Sequence, residues 1–157
     1  MRVLSSIELR PLQVRAAMAA DSHVLASLCA AHAAYERLPY SANGHADRLQ
    51  DALSLGLLHA WLLEQHDAAV GYASVTLDFA TLGGGRFAHL ECLYLEPAAR
   101  GQGGGQKLMD VVQSFAKAQS CKELQWQTPD WNHGAIRFYE RLGATGTAKH
   151  RYVLTLG

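Results

Sequence analysis

The segment Arg100–Gly105 has the composition of an anion-binding loop. It reads R-G-Q-G-G-G, so most of its residues have no side chain. Glycine loses more conformational freedom on folding than any other residue, so a loop this rich in glycine implies a close approach to its backbone. Backbone amides at the start of a helix are unpaired and partly positive, which suits a phosphate group. The alternative is a plain flexible turn.

Two familiar phosphate-binding motifs do not fit this loop. The dinucleotide fingerprint G-x-G-x-x-G would need its third glycine at Gln106 or Leu108, and the P-loop would need its second glycine at Gln106. The pattern that does fit is R-x-x-G-x-G, formed by Arg100, Gly103 and Gly105.

Tyr139 is a candidate general acid. A phenol has an unperturbed pKa of about 10, so it keeps its proton at neutral pH and can donate it to a leaving group. The same residue falls on an apolar helical face with Phe138 and Leu142. Because aromatic stripes at helical spacing are usually part of a core, periodicity alone favours a packing role.

Glu91 is a candidate proton acceptor. The alternation in its strand predicts two faces, and one of them holds His89, Glu91, Leu93 and Leu95, whereas the other holds Ala88, Leu90, Cys92 and Tyr94. A carboxylate among apolar groups has a raised pKa and can accept a proton, in this case through water. It can equally bind a cationic amine, or face solvent at a sheet edge. The pattern indicates that Cys92 belongs to the core rather than acting as a nucleophile.

The hydrophobic pattern predicts the elements that position these residues. Strands are expected at 7–10, 57–65, 71–79, 87–97, 122–128 and 150–156, and helices at 23–38, 46–54, from the glycine loop to about 118, and at 132–142. Asp21 and Ser22 are plausible caps of the first helix, and Asn132 is the expected N-cap of the last. This order predicts a mixed α/β domain with antiparallel hairpins first and strand–helix–strand crossovers later.

Length and composition narrow the class of protein. The chain has 157 residues, which predicts one domain over 1–157, and its formal net charge is zero. A neutral chain has no general attraction to nucleic acid or anionic membranes, so we expect neither as a partner. Three widely spaced cysteines predict no disulfide framework and a reducing, cytoplasmic location. We expect no leader, membrane span or metal site, since no apolar run or histidine spacing suggests one.

The loop and the last helix together resemble the Gcn5-related N-acetyltransferase (GNAT) family. R-x-x-G-x-G directly after L93-Y94-L95 is similar to that family's acyl-CoA pyrophosphate loop, and N132-H-G-A-I-R-F-Y-E-R-L-G-A144 is similar to its later motif N-x-x-A-x-x-F-Y-x-x-x-G-[AF]. The resemblance covers residues 90–144 and implies the GNAT fold, a mixed twisted sheet of about six to seven strands flanked by about four helices.

Within that family the chain is most similar to diamine acetyltransferases of the spermidine/spermine and thialysine type. The strand L90-E-C-L-Y-L95, the lead-in D130-W-N132 and the hairpin Gly83–Gly85 carry this likeness. Two departures concern the acceptor: Cys92 replaces a usual aspartate, and the hairpin lacks a usual aromatic residue.

The resemblance assigns further roles. It implies acetyl-CoA as donor, with its pyrophosphate on Arg100 and on the backbone amides of Gly101, Gln102, Gly103, Gly104 and Gly105. Lys107 assists there or is a solvated surface lysine. The pantetheine arm would pair with the strand at Leu93, Tyr94 and Leu95 and contact Asn132, with the Leu93 amide as oxyanion donor and Tyr139 as acid. Tyr35 and Glu36 would border the acceptor pocket, unless they are simply a solvated helix end.

The sequence therefore predicts an acetyl-CoA-dependent N-acetyltransferase in which a small primary amine attacks directly in a ternary complex. A diamine, polyamine or amino-acid-like acceptor is expected. The alternatives are acetylation of a protein N-terminus or lysine and, from another class, a non-catalytic acyl-CoA-binding regulatory module. The resemblance also suggests a homodimer, since members of the family often dimerise.

Overall fold

The structure, a computed structural model, describes residues 11–157. Its elements in chain order are β1 (Gln13–Ala16), α1 (Ser22–Tyr35), α2 (His45–Ser54), β2 (His59–Gln65), β3 (Ala68–Ala80), β4 (Gly85–Leu95), α3 (Gly104–Ala118), β5 (Leu124–Gln125) and α4 (His133–Arg141), with short 3-10 turns before α1 and after β4. These elements fall into two units. The first ends at Trp126, and the second, Gln127–Gly157, contains α4.

The first unit is built on one sheet with the strand order β1-β2-β3-β4-β5. Neighbours from β1 to β4 are antiparallel, and β5 runs parallel to β4. The hairpins therefore come first and the crossover through α3 comes later, as predicted. The described residues contain five strands, slightly fewer than the six to seven that the resemblance implied for the chain.

The differences from the predicted strands lie at the ends of the chain and at the sheet edge. The expected strand at 7–10 lies outside the described residues, and β1 instead follows Pro11. The expected strand at 122–128 is reduced to β5, and 150–156 forms no strand. Strand formation requires a neighbour for the backbone hydrogen bonds, and an alternating sequence does not supply that neighbour.

Helices cover both faces of the central strands. On one face, Leu25 and Leu28 of α1 pack with Leu62, Tyr72 and Tyr94 in a buried cluster. On the other face, the start of α3 lies close to the sheet. A Cβ added to Gly104 would lie 2.5 Å from Leu63 Cδ2 and 3.0 Å from Leu95 Cδ2. The absence of a side chain at Gly104 thus sets how closely the glycine loop approaches the end of β4.

An ion pair fixes the segment between β1 and α1. Arg15 donates two hydrogen bonds of 2.8 Å to the carboxylate of Asp21, which also accepts one from the Met18 amide at 2.7 Å. Asp21 occupies the N-cap position of α1, as predicted, but its side chain bonds to Arg15 and Met18 rather than capping the helix. Hydrogen bonds from Arg15 lower the pKa of Asp21 from 3.8 to about 2.

We expect Asp21→Asn to lower the free energy of unfolding by about 1 kcal/mol at pH 7, since the side chain of Arg15 is 44% exposed and the pair is screened by solvent. The pKa of Asp21 is lower in the folded state, so its contribution is fully present above pH 3.8 and is lost as the pH falls through about 2. Urea unfolding at pH 7, 4 and 3 measures this, with the exposed Asp51→Asn as control. An equal difference at every pH would contradict the assignment.

Candidate functional site

The glycine loop presents a row of unpaired amides at the start of α3. The N–H groups of residues 101–106 have no hydrogen-bond acceptor among the described residues, and the Lys107 amide is the first to bond, to the Gly103 carbonyl at 3.1 Å. Gly101 and Gly103 have φ values of 76° and 82°, which residues with side chains rarely adopt. This backbone leaves successive amides without a partner at the start of a helix, as an anion-binding site requires.

The space beside Gly101 and Gly103 is open. A Cβ built on Gly101 or Gly103 would meet no atom within 4 Å. Gln102 is tied back from this space, because its amide nitrogen donates to the Ala98 carbonyl at 3.0 Å and its oxygen accepts from Gln65 at 3.0 Å. The residues present therefore fit a phosphate-bearing ligand, and Lys107 is exposed one turn into α3.

Arg100 joins the loop to the end of α1. Its Nε donates to the carbonyl of Leu95, the last residue of β4, at 2.9 Å. Its guanidinium carbon lies 4.6 Å from the ring centroid of Tyr35 and 5.7 Å from that of Tyr94. Two residues singled out by separate arguments, Arg100 and Tyr35, are thus in contact through a cation–π interaction.

A β-bulge at Glu91 interrupts β4. Ser74 pairs with Cys92, but the next residue, Val75, pairs with Leu90, so Glu91 has no direct partner. Directly opposed residues share a face of the sheet, and adjacent residues of β3 point to opposite faces. Leu90 and Cys92 therefore lie on opposite faces, and the prediction that all even positions of β4 share one face was wrong. The extra residue at the bulge reverses the alternation.

Glu91 does not lie among apolar groups, as the alternation had suggested. Its carboxylate is 2.9 Å from Nδ1 of His89, and the side chain is 46% exposed. An oxygen of Asp78 lies 4.0 Å from the same Nδ1 atom. Glu91 is thus an accessible carboxylate in contact with His89, and its roles as proton acceptor or amine ligand remain predictions.

Cys92 packs against the α1 face, which confirms it as a core residue. Burial raises the pKa of its thiol, and Glu91 and Glu36 both raise that pKa further. The Cys92 thiol and the Cys29 thiol each make a hydrogen bond to the Tyr72 hydroxyl. A buried thiol held in its protonated form is a poor nucleophile.

His32 is a functional candidate that the sequence argument missed. It is buried in α1, with Nδ1 2.8 Å from the Tyr72 hydroxyl and Nε2 3.2 Å from Glu36 Oε1. Its ring stacks on Tyr94, with centroids 5.1 Å apart and an interplanar angle of 17°. The four-residue spacing of His32 and Glu36 on one helix was a visible signal. The contact with Tyr72 was not, because it depends on how α1 sits on the sheet.

The second unit contains Asn132 and Tyr139. Asn132 is the N-cap of α4, as predicted, and its side-chain oxygen accepts from the Ala135 amide at 3.2 Å. Tyr139 is half-buried on α4, with its ring centroid 5.5 Å from that of Phe138. The roles of Asn132 toward pantetheine and of Tyr139 as acid stay predictions.

Two features are absent from residues 11–157. No helix in this range is both long and apolar enough to cross a bilayer. Within the same residues, no group of three or more His, Cys, Asp or Glu side chains is placed to hold a metal ion.

Comparison with known families addresses the resemblance directly. The family described as "Acetyltransferase (GNAT) family" matches residues 22–144, which is most of the chain. This chain belongs to the GNAT family. Thialysine N-epsilon-acetyltransferase from Bos taurus is 36% identical to it over 80 residues, which are 51% of this chain and 46% of the relative. The enzyme of the same name from Caenorhabditis elegans is 23% identical over 74% of this chain and 72% of its own. The chain thus spans about half the length of the first curated relatives that it matches.

Solved structures agree on the fold of this GNAT protein. An aminoglycoside acetyltransferase from an uncultured soil metagenomic sample, in complex with trehalose, matches with a TM-score of 0.81 and 17% identity, over 92% of this chain and 97% of its own. A predicted acetyltransferase from Clostridium acetobutylicum, crystallised with acetyl-CoA, matches with a TM-score of 0.76 and 18% identity. The match covers 91% of this chain and 96% of that structure's chain. The predicted fold class is therefore confirmed.

Proposed function

We propose that this GNAT protein is an acetyl-CoA-dependent N-acetyltransferase that acetylates a primary amine of a small diamine, polyamine or amino-acid-like acceptor. The amine attacks directly in a ternary complex, without a covalent enzyme intermediate. The observation that carries the proposal is the row of unpaired amides at residues 101–106, which follow β4 after one short turn. Family membership and the named thialysine acetyltransferases support the same reaction.

The chain supplies the parts that donor binding needs. The loop amides and the positive end of α3 bind the diphosphate, and Arg100 adds charge. The end of β4 at Leu93, Tyr94 and Leu95 offers its backbone to the pantetheine arm as to an added strand. This segment pairs with β3 along one edge, whereas β5 pairs with β4 only further back, at Ala88 and His89. The Leu93 amide is the proposed donor to the carbonyl oxygen that becomes negative during attack.

Proton transfers in the proposed reaction are assigned to two side chains. The amine nitrogen bonds to the thioester carbonyl carbon, and the bond from that carbon to sulfur breaks. Glu91 receives the proton of the attacking amine through a water molecule, and Tyr139 donates its proton to the departing thiolate. The exposed carboxylate of Glu91 is consistent with the first role, because water and a cationic amine can both reach it.

Charge favours a cationic acceptor. The first unit carries the carboxylates of Asp78, Glu91 and Glu36; the first two lie within 4.0 Å of His89 Nδ1, and Glu36 lies 3.2 Å from His32 Nε2. Acceptors such as diamines carry several positive charges at neutral pH. The similar relatives are named for acetylation of thialysine, an amino-acid-like amine. The cytoplasmic location and the homodimer remain predictions that accompany this proposal.

Release of free thiol from acetyl-CoA in the presence of an amine panel tests the proposal. We expect release that depends on both the protein and an amine, with small diamines and lysine-like amino acids preferred over monoamines. Mass spectrometry should show one added acetyl group on nitrogen. Preference for peptide substrates would favour protein acetylation instead. Tight CoA binding with no thiol release for any amine would indicate a non-catalytic acyl-CoA-binding module and contradict the proposal.

A further inference from the structure

His89 is anchored in the sheet more firmly than Glu91. Its backbone is paired on both edges of β4, with Thr76 of β3 on one side and Gln125 of β5 on the other. Glu91 has no directly opposed residue in β3, and β5 pairs with β4 only at Ala88 and His89. The sheet thus holds His89 from both sides, whereas none of the described strands faces Glu91 with a paired residue.

The imidazole of His89 reaches the carboxylate that the sheet leaves unsupported. Its Nδ1 lies 2.9 Å from Oε1 of Glu91, which is within hydrogen-bonding distance. The His89 side chain is 27% exposed and that of Glu91 is 46% exposed, so the ring is the more enclosed partner. This contact engages one carboxylate oxygen of Glu91 and leaves the other for water or for an amine.

The charges around Nδ1 of His89 decide which ring nitrogen carries the proton. Besides Glu91, Asp78 places its Oδ2 atom 4.0 Å from the same nitrogen. An ionised carboxylate can only accept a hydrogen bond, and an unprotonated Nδ1 would turn its lone pair toward two negative groups. A neutral imidazole in this place therefore carries its proton at Nδ1 and leaves Nε2 as an acceptor.

We infer that His89 is a positioning residue: through the proton on Nδ1 it holds the carboxylate of Glu91 in the orientation that receives the proton of the attacking amine. A long side chain at a bulge otherwise samples several rotamers, and each unproductive one lowers the fraction of bound acceptor that reacts. His89 itself transfers no proton and acts only through Glu91. The inference rests on the proposed acetyltransferase activity.

Two replacements of similar shape test the role of the Nδ1 proton. Asparagine places a side-chain N–H group where Nδ1 of His89 lies, and leucine has no donor there. With both substrates saturating, His89→Leu should lower kcat by about tenfold, whereas His89→Asn should stay within about threefold of wild type. The KM for acetyl-CoA should be unchanged in both. His23→Leu, at an exposed position of α1, is the control. Equal losses of kcat in the two His89 variants would overturn the inference.

A double-mutant cycle shows whether His89 acts through Glu91. In a Glu91→Ala background, adding His89→Leu should change kcat by less than about twofold, because the carboxylate to be held is gone. A further loss of about tenfold there would give His89 a role of its own and refute the inference. Wild-type kcat in Glu91→Ala would refute it as well, because His89 would then have no catalytic group to position.

Nitrogen NMR reports on the contact without relying on turnover. At pH 8.5 the His89 imidazole should be protonated mainly at Nδ1 in wild type. Glu91→Ala should shift the balance toward Nε2, and Asp78→Asn, which changes the more distant carboxylate, should shift it less. A wild-type ring protonated at Nε2, or a larger shift with Asp78→Asn, would contradict the inference. If wild type releases no thiol with any amine, the proposed function has failed and the inference fails with it, whereas a failure confined to the His89 results leaves the acetyltransferase activity standing.

Discussion

Replacing Tyr139 by phenylalanine is expected to lower kcat by about 100-fold while leaving the affinity for acetyl-CoA nearly unchanged, because general acid catalysis typically contributes a factor of this size or more. The change removes one hydroxyl group and keeps the ring, which is half-buried on α4 beside Phe138. Packing is therefore preserved, and a loss of rate reports on the proton. Stopped-flow or coupled thiol assays measure kcat, and calorimetry measures donor affinity.

Two comparisons separate acid catalysis from other effects of Tyr139→Phe. Tyr152→Phe, in the same unit, removes the hydroxyl of a tyrosine that is 89% exposed and serves as the control. An acyl donor whose thiol has a lower pKa should recover much of the lost rate, since a better leaving group depends less on protonation. If Tyr139→Phe turned over as fast as wild type, or if its loss were the same for every leaving group, Tyr139 would not be the acid.

The second large effect is expected at the glycine loop. Gly103→Asp should weaken the binding of CoA by at least about tenfold more than Gly103→Asn, because a carboxylate repels the diphosphate and competes for the same amides. Both replacements tolerate the left-handed backbone better than other side chains, and a Cβ at this position meets no atom within 4 Å. The two variants have nearly the same shape, so the difference between them reports on charge.

Unfolding and the salt dependence of CoA binding provide two further comparisons of Gly103→Asp with Gly103→Asn. A carboxylate at a helix N-terminus is favourable, so Gly103→Asp should unfold at a urea concentration no lower than Gly103→Asn. Raising the ionic strength should narrow the gap in CoA affinity between them, because the amides at the loop are exposed to solvent. Equal CoA affinity of the two variants at low salt would mean that the diphosphate binds elsewhere.

Local sequence determined the parts of the site whose geometry depends on near neighbours along the chain. The loop at 101–105 presents the unpaired amides that its composition indicated, and Gly101 and Gly103 adopt positive φ values there. Asn132 caps α4 through an amide three residues away, and the apolar spacing of α3 correctly placed that helix after the loop. In each case the partners are separated by a few residues, so a short window of sequence contains the whole interaction.

Tertiary structure decided the features whose partners lie far apart in the chain. The bulge at Glu91 exists only in relation to Ser74 and Val75, and it reversed the faces that simple alternation had assigned to β4. The carboxylate of Glu91 contacts His89, which also lies within 4.0 Å of Asp78. The strand expected at 150–156 did not form, because an alternating pattern specifies a surface to be covered but not the neighbour that covers it.

The same distinction explains the contacts of His32 with Glu36 and Tyr72. The helix placed His32 and Glu36 on one face by their spacing, and sequence alone specified that much. Tyr72 reaches His32 across 40 positions, through the packing of α1 on the sheet and the register of β3 with β4. The sequence by itself thus determined which groups could bind an anion and cap the helices. Only the folded chain decided which carboxylates are held in place, because cross-sheet contacts depend on register and packing that no local pattern encodes.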